Sequence, residues 1–410
     1  MSRILLSWEL GSNLGHLSRL LPIAVGLRKR GHEVMVAARD VGLATEILGP
    51  SGIRFVQAPG IPGMLKSGTQ PASFADLMLM QGWERPAVLW GLVQAWGNAL
   101  SLFRSTVVVL DYAPTALLAA RILGIPCALL GTGFELPPLE TPLPLFPGFT
   151  GIVAEAAAGA DARALESANY VLNAYGAPPL TSLSELFRTE ARWLTTFAEL
   201  DQYGPRSGES YVGPIGSLGR GELVQWPEGY MHRVLAYLRP GTPALSDVLR
   251  ALAAQREVAV VCAAPGVPED SVKSLARPGC QILCKPVNLP ALLPQASLFV
   301  SYGPAASVAE SLLCGVPQLL VPAHVEAQMT AARVLSIGAG VALHGAASES
   351  EISAALQRVL RDPAYRANAL EFSSRYRGFD PAAAIDRIVD EVERLAAREP
   401  VKAPSVRRAG

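Results

Sequence analysis

Ser301-Tyr302-Gly303-Pro304-Ala305-Ala306-Ser307-Val308-Ala309-Glu310 is the stretch that decides the fold of this chain. The apolar run Ser297-Leu298-Phe299-Val300 precedes it, and Gln318-Leu319-Leu320-Val321-Pro322 follows. The pattern reads as strand, small-residue turn, helix, strand. Such a turn is where α/β proteins hold phosphates, because a helix N-terminus offers free backbone N–H groups and a partial positive charge. Glu310, two turns further on, is placed to reach a sugar hydroxyl of a bound nucleotide. The stretch predicts a pocket for a nucleoside diphosphate.

The same alternation extends in both directions. Residues 234–238, 258–262, 281–284, 298–300 and 318–321 are expected strands, with helices between them at 245–255 and 326–337. In the first half, strands are expected at 3–9, 33–37, 53–58, 106–110 and 127–130, with helices at 17–30 and 116–123 that stop at Gly31 and Gly124. Repeated βαβ units imply parallel sheets covered by helices on both faces. A length of 410 residues favours two domains. The Gly/Pro/Ser-rich stretch 201–229 reads as the linker, which gives domains at 1–205 and 206–380. An amphipathic helix at 381–398 is expected to pack back on the first domain, and 399–410 reads as a disordered tail.

Composition excludes some functions. The 35 basic and 35 acidic residues cancel, so the basic stripe of a nucleic-acid binder is missing. The apolar run at 106–131 is broken by Asp111, Arg121 and Pro126, too soon for a membrane span. The opening run is too short for a signal peptide, and the five cysteines are an odd number, set mostly in apolar segments. These features predict a soluble cytoplasmic protein. Cys280 and Cys284 read as strand-flanking thiols, and no metal site is expected. Two inserts stand out: a Gly/Pro-rich loop at 59–71, and 74–103 with Trp83, Trp90 and Trp96. The second reads either as a helix packed on the sheet or as an apolar wall for a lipophilic ligand.

Candidate chemistry gathers at strand ends. The first strand runs into Gly11-Ser12-Asn13-Leu14-Gly15-His16, whose glycines Gly11 and Gly15 suggest a turn. His16 then lies at a helix start on the sheet edge that faces ligands, where a histidine can act as general base or simply cap the helix. Asp111 ends the strand 106–110 at the same edge. It can orient an imidazole, or cap the helix after Pro114. In the second half, Arg239-Pro240-Gly241-Thr242-Pro243 and Val321-Pro322-Ala323-His324-Val325-Glu326-Ala327-Gln328 are further strand-end turns.

The chain resembles the GT-B-fold glycosyltransferases, specifically the bacterial branch of the UDP-glycosyltransferase superfamily. Gly15-His16-Leu17-Ser18-Arg19-Leu20-Leu21-Pro22 with Arg28-Lys29-Arg30-Gly31-His32-Glu33-Val34 is similar to that family's opening helix and second strand. Leu110-Asp111 matches its Asp-bearing strand, and 292–334 matches its donor-binding block. The resemblance implies two facing Rossmann-like doubly wound domains with an interdomain crevice. It implies inverting transfer from a nucleotide-diphosphate sugar, UDP- or dTDP-linked, to a hydroxyl of a small or lipophilic acceptor. His16 would be the base and Asp111 would stabilise the imidazolium, with no cofactor and no obligatory metal. Gly241, Thr242, Tyr302, Gly303, Ser307, Glu310, Glu326 and Gln328 would bind the donor, Glu310 through the ribose and Glu326 through the sugar hydroxyls.

The chain departs from the family pattern at three points. Tyr302 stands where the family commonly has histidine, and a tyrosine carries no positive charge at pH 7. Pro304 lacks an N–H, although proline suits a first helical position. Ala327 replaces a glutamine, and Gln328 comes one residue late, about 100° round the helix. These departures leave two alternatives open: a non-catalytic relative that binds a nucleotide or glycan, and a nucleotide-sugar epimerase or hydrolase.

Overall fold

The computed structural model describes the chain except residues 13, 62–69, 149–151, 217–218, 220, 344 and 399–410. Most of the 59–71 loop and the whole 399–410 tail therefore lie outside the described residues. The chain divides into two compact units. Met1–Thr195, Arg206–Gly216 and Asp380–Gly410 form the first, and Thr196–Pro205 and Ser217–Phe379 the second.

The first unit is built on a parallel sheet of β1 (Arg3–Trp8), β2 (Glu33–Ala38), β3 (Arg54–Gln57), β4 (Val107–Asp111), β5 (Cys127–Gly131), β6 (Ala191–Leu194) and β7 (Ser210–Tyr211), in the order β3-β2-β1-β4-β5-β6-β7. Every residue of β4 and β5 is buried, as continuous apolar runs between two helical layers require. β6 and β7 were not foreseen. β7 brings 206–216, part of the expected linker, back onto the first sheet. The strand order reverses between β1 and β4, where Trp8 pairs in register with Asp111. In an open α/β sheet this reversal opens the ligand crevice at the carboxyl ends of the strands.

Helix Pro381–Ala396 belongs to this unit and packs on helix Leu14–Lys29, with Val389 against Gly26. Arg30 pairs with Asp390 and Glu393, and His32 Nε2 lies 2.7 Å from Glu393. In the 74–103 insert, Phe74–Met78 and Pro86–Phe103 are helices that bury Trp83 and Trp96 completely. Trp83 Nε1 donates to Thr115 Oγ1 at 3.0 Å. These two indoles are core. Trp90 remains 40% exposed.

The second unit carries β8 (His232–Tyr237), β9 (Val258–Ala263), β10 (Cys280–Leu283), β11 (Leu298–Ser301), β12 (Gln318–Leu320) and β13 (Gly340–Ala342), all parallel, in the order β10-β9-β8-β11-β12-β13. The reversal falls between β8 and β11, where Tyr237 pairs with Ser301. The two sheets therefore share one winding pattern. Residues 196–205 pack into this unit through Phe197, which contacts Phe372, Tyr376 and Phe379. Among the described residues no helix is long and apolar enough to cross a membrane.

Candidate active site

The pairing of β1 with β4 brings together residues 95 positions apart. His16 is the third residue of helix Leu14–Lys29, which starts three residues earlier than the sequence pattern suggests. Its Nδ1 lies 2.8 Å from Asp111 Oδ1, and both side chains are buried. With the proton on Nδ1 donated to Asp111, Nε2 carries the lone pair. The imidazole stacks with Trp8, ring centres 5.2 Å apart, and with Tyr112 at 6.1 Å. Gly11 has φ +81°, and a Cβ there would lie 2.5 Å from His16 Nε2. Only a glycine allows both this backbone conformation and this approach. Gly15 is no turn residue. It is the second residue of the helix, with open space where a Cβ would point.

Two charged residues at this site escaped the sequence reading. Arg19 lies one turn after His16, on the same helix face. Its Nε donates to Asp111 Oδ2 at 3.0 Å, and its Nη2 donates to Asp111 Oδ1 at 2.8 Å and to Glu135 Oε1 at 2.7 Å. Glu135 also accepts the Thr132 N–H. The i, i+3 spacing of His16 and Arg19 was a usable signal. Nothing in the sequence marked Glu135.

His16, Asp111 and Glu135 lie close enough to ligate a metal together. Arg19 Nη2, 3.0 Å from His16 Nδ1 and bonded to both carboxylates, already supplies a positive charge there. Burial alone would push the Asp111 carboxyl up. The charges and hydrogen bonds of Arg19 and His16 overcome this and hold it below its ordinary value. Its contribution to stability is thus present above pH 3.8 and is lost as pH falls through the lower folded value.

Asp111 does not cap the following helix. The cap position of Pro114–Leu123 is Ala113, and buried Glu9 serves its N-terminus, with Oε2 accepting the N–H groups of Thr115 at 3.0 Å and Ala116 at 3.2 Å. Burial pushes the Glu9 carboxyl up from 4.5 to about 7, against the lowering by those hydrogen bonds and by Arg39. The folded chain therefore holds a proton that the unfolded chain releases near 4.5. Glu9 costs nothing below pH 4.5, and its cost grows until pH 7. Glu9→Gln keeps an acceptor oxygen without a charge. It is expected to raise stability above pH 7 by on the order of 1–3 kcal/mol, a gain that fades toward pH 4.5. Thermal melts across pH 4–8 check this. A lower melting temperature for the variant at pH 8 would show instead that the ionised carboxylate stabilises the helix.

In the second unit, the expected donor residues lie at the carboxyl ends of β8, β11 and β12 or on the helices that follow. Gly241 and Thr242 form the turn after β8. Tyr302 and Gly303 follow β11, Ser307 and Glu310 lie on helix Ala305–Leu313, and Glu326 and Gln328 on helix Val325–Ile337. The Tyr302 ring lies 6.3 Å from that of Tyr237, with the Arg239 guanidinium 4.3 Å above it. Burial pushes the Tyr302 hydroxyl up to about 12, so it stays a neutral donor. Pro304 is the cap residue, not the first helical one, and no side chain caps that helix. The Gly303 N–H is taken by Ser301 Oγ at 3.2 Å. Gly303, at φ +89°, packs against Ala327, whose Cβ a Cβ on Gly303 would meet at 3.3 Å. Ala327 is fully buried, whereas Gln328 is exposed. Glu310 is half-buried on the second helical turn, and its charge acts on the Cys314 thiol.

Residues 251–384 match the family described as Erythromycin biosynthesis protein CIII-like, C-terminal domain. The chain is 31% identical to Glycosyltransferase GtfC of Amycolatopsis orientalis over 108 residues, 26% of each chain. The chain thus spans about a quarter of that relative's length. Among solved structures, the calicheamicin glycosyltransferase CalG4 superposes with a TM-score of 0.72 at 20% identity, covering 97% of this chain and 99% of that one. The spinosyn rhamnosyltransferase SpnG gives 0.69 at 18% identity over 95% and 100%. SpnG has also been solved with thymidine diphosphate and with spinosyn aglycone. Together with the two parallel sheets, these likenesses show a two-domain GT-B fold.

Proposed function

We propose that the chain is a member of the bacterial branch of the UDP-glycosyltransferase superfamily and acts as a nucleotide-sugar-dependent glycosyltransferase. The observation that carries this reading is the 2.8 Å contact of His16 Nδ1 with Asp111, which leaves Nε2 as the basic nitrogen. His16 takes the proton of an acceptor hydroxyl. The oxygen attacks the anomeric carbon of the donor sugar as the bond to the diphosphate breaks, with inversion at that carbon. Asp111, anchored by Arg19, holds the ring in the required tautomer and stabilises the imidazolium. The nucleoside diphosphate leaves at the N-terminus of helix Ala305–Leu313, whose dipole favours its charge. Glu310 takes the ribose and Glu326 the sugar hydroxyls. These assignments draw on the family match and on the positions of the residues at the sheet edge.

The donor is a UDP- or dTDP-sugar, and the acceptor a small lipophilic alcohol. The thymidine diphosphate and aglycone complexes of SpnG support both choices, and the aromatic surround of His16, where Tyr112 touches Phe74 and Phe134, suits a lipophilic acceptor. A thermal-shift screen with dTDP, UDP and their sugars tests the donor site. A ligand at about 100 times its Kd adds about 2.7 kcal/mol of stability. No shift with any of them would sink the reading. Binding without release of nucleoside diphosphate, in the presence of a range of lipophilic alcohols, would favour a non-catalytic relative.

A further inference from the structure

We infer that Arg239 supplies the positive charge toward a bound nucleoside diphosphate that the neutral Tyr302 does not. The inference rests on the glycosyltransferase reading above and adds a binding residue to its donor site.

Sheet register places this residue. Tyr237 and Ser301 are paired neighbours at the ends of β8 and β11, so Arg239 and Tyr302 leave adjacent strands within two residues of that pair. The Arg239 guanidinium lies 4.3 Å from the centre of the Tyr302 ring, a cation resting on an aromatic face. Its backbone is pinned at both ends by one hydroxyl. Thr242 Oγ1 accepts the Arg239 N–H at 3.2 Å and donates to the Arg239 carbonyl at 2.8 Å. Thr242 is 5% exposed, and its hydroxyl is engaged by this turn. It acts on a donor through Arg239, as a positioning residue.

The neighbouring groups do not replace that charge. His324 caps helix Val325–Ile337, and its Nδ1 accepts the Ala327 N–H at 3.4 Å. Burial, and then the charge of Arg239, hold its imidazole below the ordinary histidine value, so it is neutral at pH 7. Glu326 bears on Tyr302 with the opposite sign. The Gly303 N–H is engaged by Ser301, and Pro304 has none. A planar guanidinium held in place on an aromatic ring suits two-pronged recognition of phosphate oxygens. The tyrosine in place of histidine then acts as a platform for an arginine from the adjacent strand.

The test is calorimetric titration of the full chain with dTDP and UDP, and with thymidine and uridine as phosphate-free probes. Arg239→Gln is expected to weaken diphosphate binding about 10- to 100-fold and leave nucleoside binding unchanged. Arg239→Lys, which keeps the charge without the fork, should fall between. Adding Tyr302→His to Arg239→Gln should restore diphosphate affinity. Unchanged diphosphate binding in Arg239→Gln overturns the inference, as does equal loss of nucleoside and diphosphate, which marks a purely structural role. A parent chain that binds none of the four probes overturns the donor-site reading itself, so the two failures are told apart.

Discussion

His16→Ala is expected to lower turnover by about 10²–10⁴-fold while the affinity for dTDP or UDP stays that of the parent chain. The expectation follows from the position of the imidazole. Its Nδ1 is committed to Asp111 at 2.8 Å, and its Nε2 lies against the Cβ-free face of Gly11. Alanine removes the proton acceptor and leaves the Arg19–Asp111–Glu135 ion group intact, so the fold should survive. The residues proposed to bind the nucleotide belong to the second unit. Release of nucleoside diphosphate with a verified acceptor, set beside nucleotide titration of the same preparation, separates the two effects. Full turnover in the variant would remove His16 as the base.

Arg19→Met is expected to destabilise the first unit by about 3–5 kcal/mol, because it leaves the Asp111 and Glu135 carboxylates buried without their cation. In a domain of this size the melting temperature should fall by roughly 6–20 °C. The loss should shrink on acidification, since protonating either carboxylate relieves the unpaired charge. Adding Glu135→Gln removes one of the two charges and should recover a large part of the stability. It should not recover turnover, because Asp111 still lacks the guanidinium that fixes both its oxygens. Melting curves and turnover of the single and double variants check both statements. Parent-like melting of Arg19→Met would mean that the carboxylates are solvated or protonated without Arg19.

The strands that the sequence revealed most plainly are those at the centre of each sheet, although the edge strands Arg54–Gln57 and Cys280–Leu283 were also expected. Val107–Asp111 and Val258–Ala263 are apolar along almost their whole length because both faces are covered, and such runs announce themselves. Ala191–Leu194, Ser210–Tyr211 and Gly340–Ala342 were not legible. They are short strands at or near sheet edges, and so few residues carry no period. The donor turns were placed by the same logic as the central strands, each following an apolar run.

Sequence by itself determined the α/β class, the strand-end positions of Asp111, Tyr302 and the Arg239 turn, and the place of His16 at the helix start that follows the first strand. Each of these is a local property: an apolar run, the residue that ends it, and the turn that follows. Tertiary structure alone decided which strand-end residues meet. The pairing of β1 with β4 sets His16 on Asp111, and that of β8 with β11 sets Arg239 over Tyr302. It also decided that Arg19 and Glu135 are buried partners and not surface charges. A charged residue reads the same in sequence whether water or another charge surrounds it. Only the packing of distant strands removes the water and puts an opposite charge in its place, where the low dielectric of the interior makes the pair interact strongly.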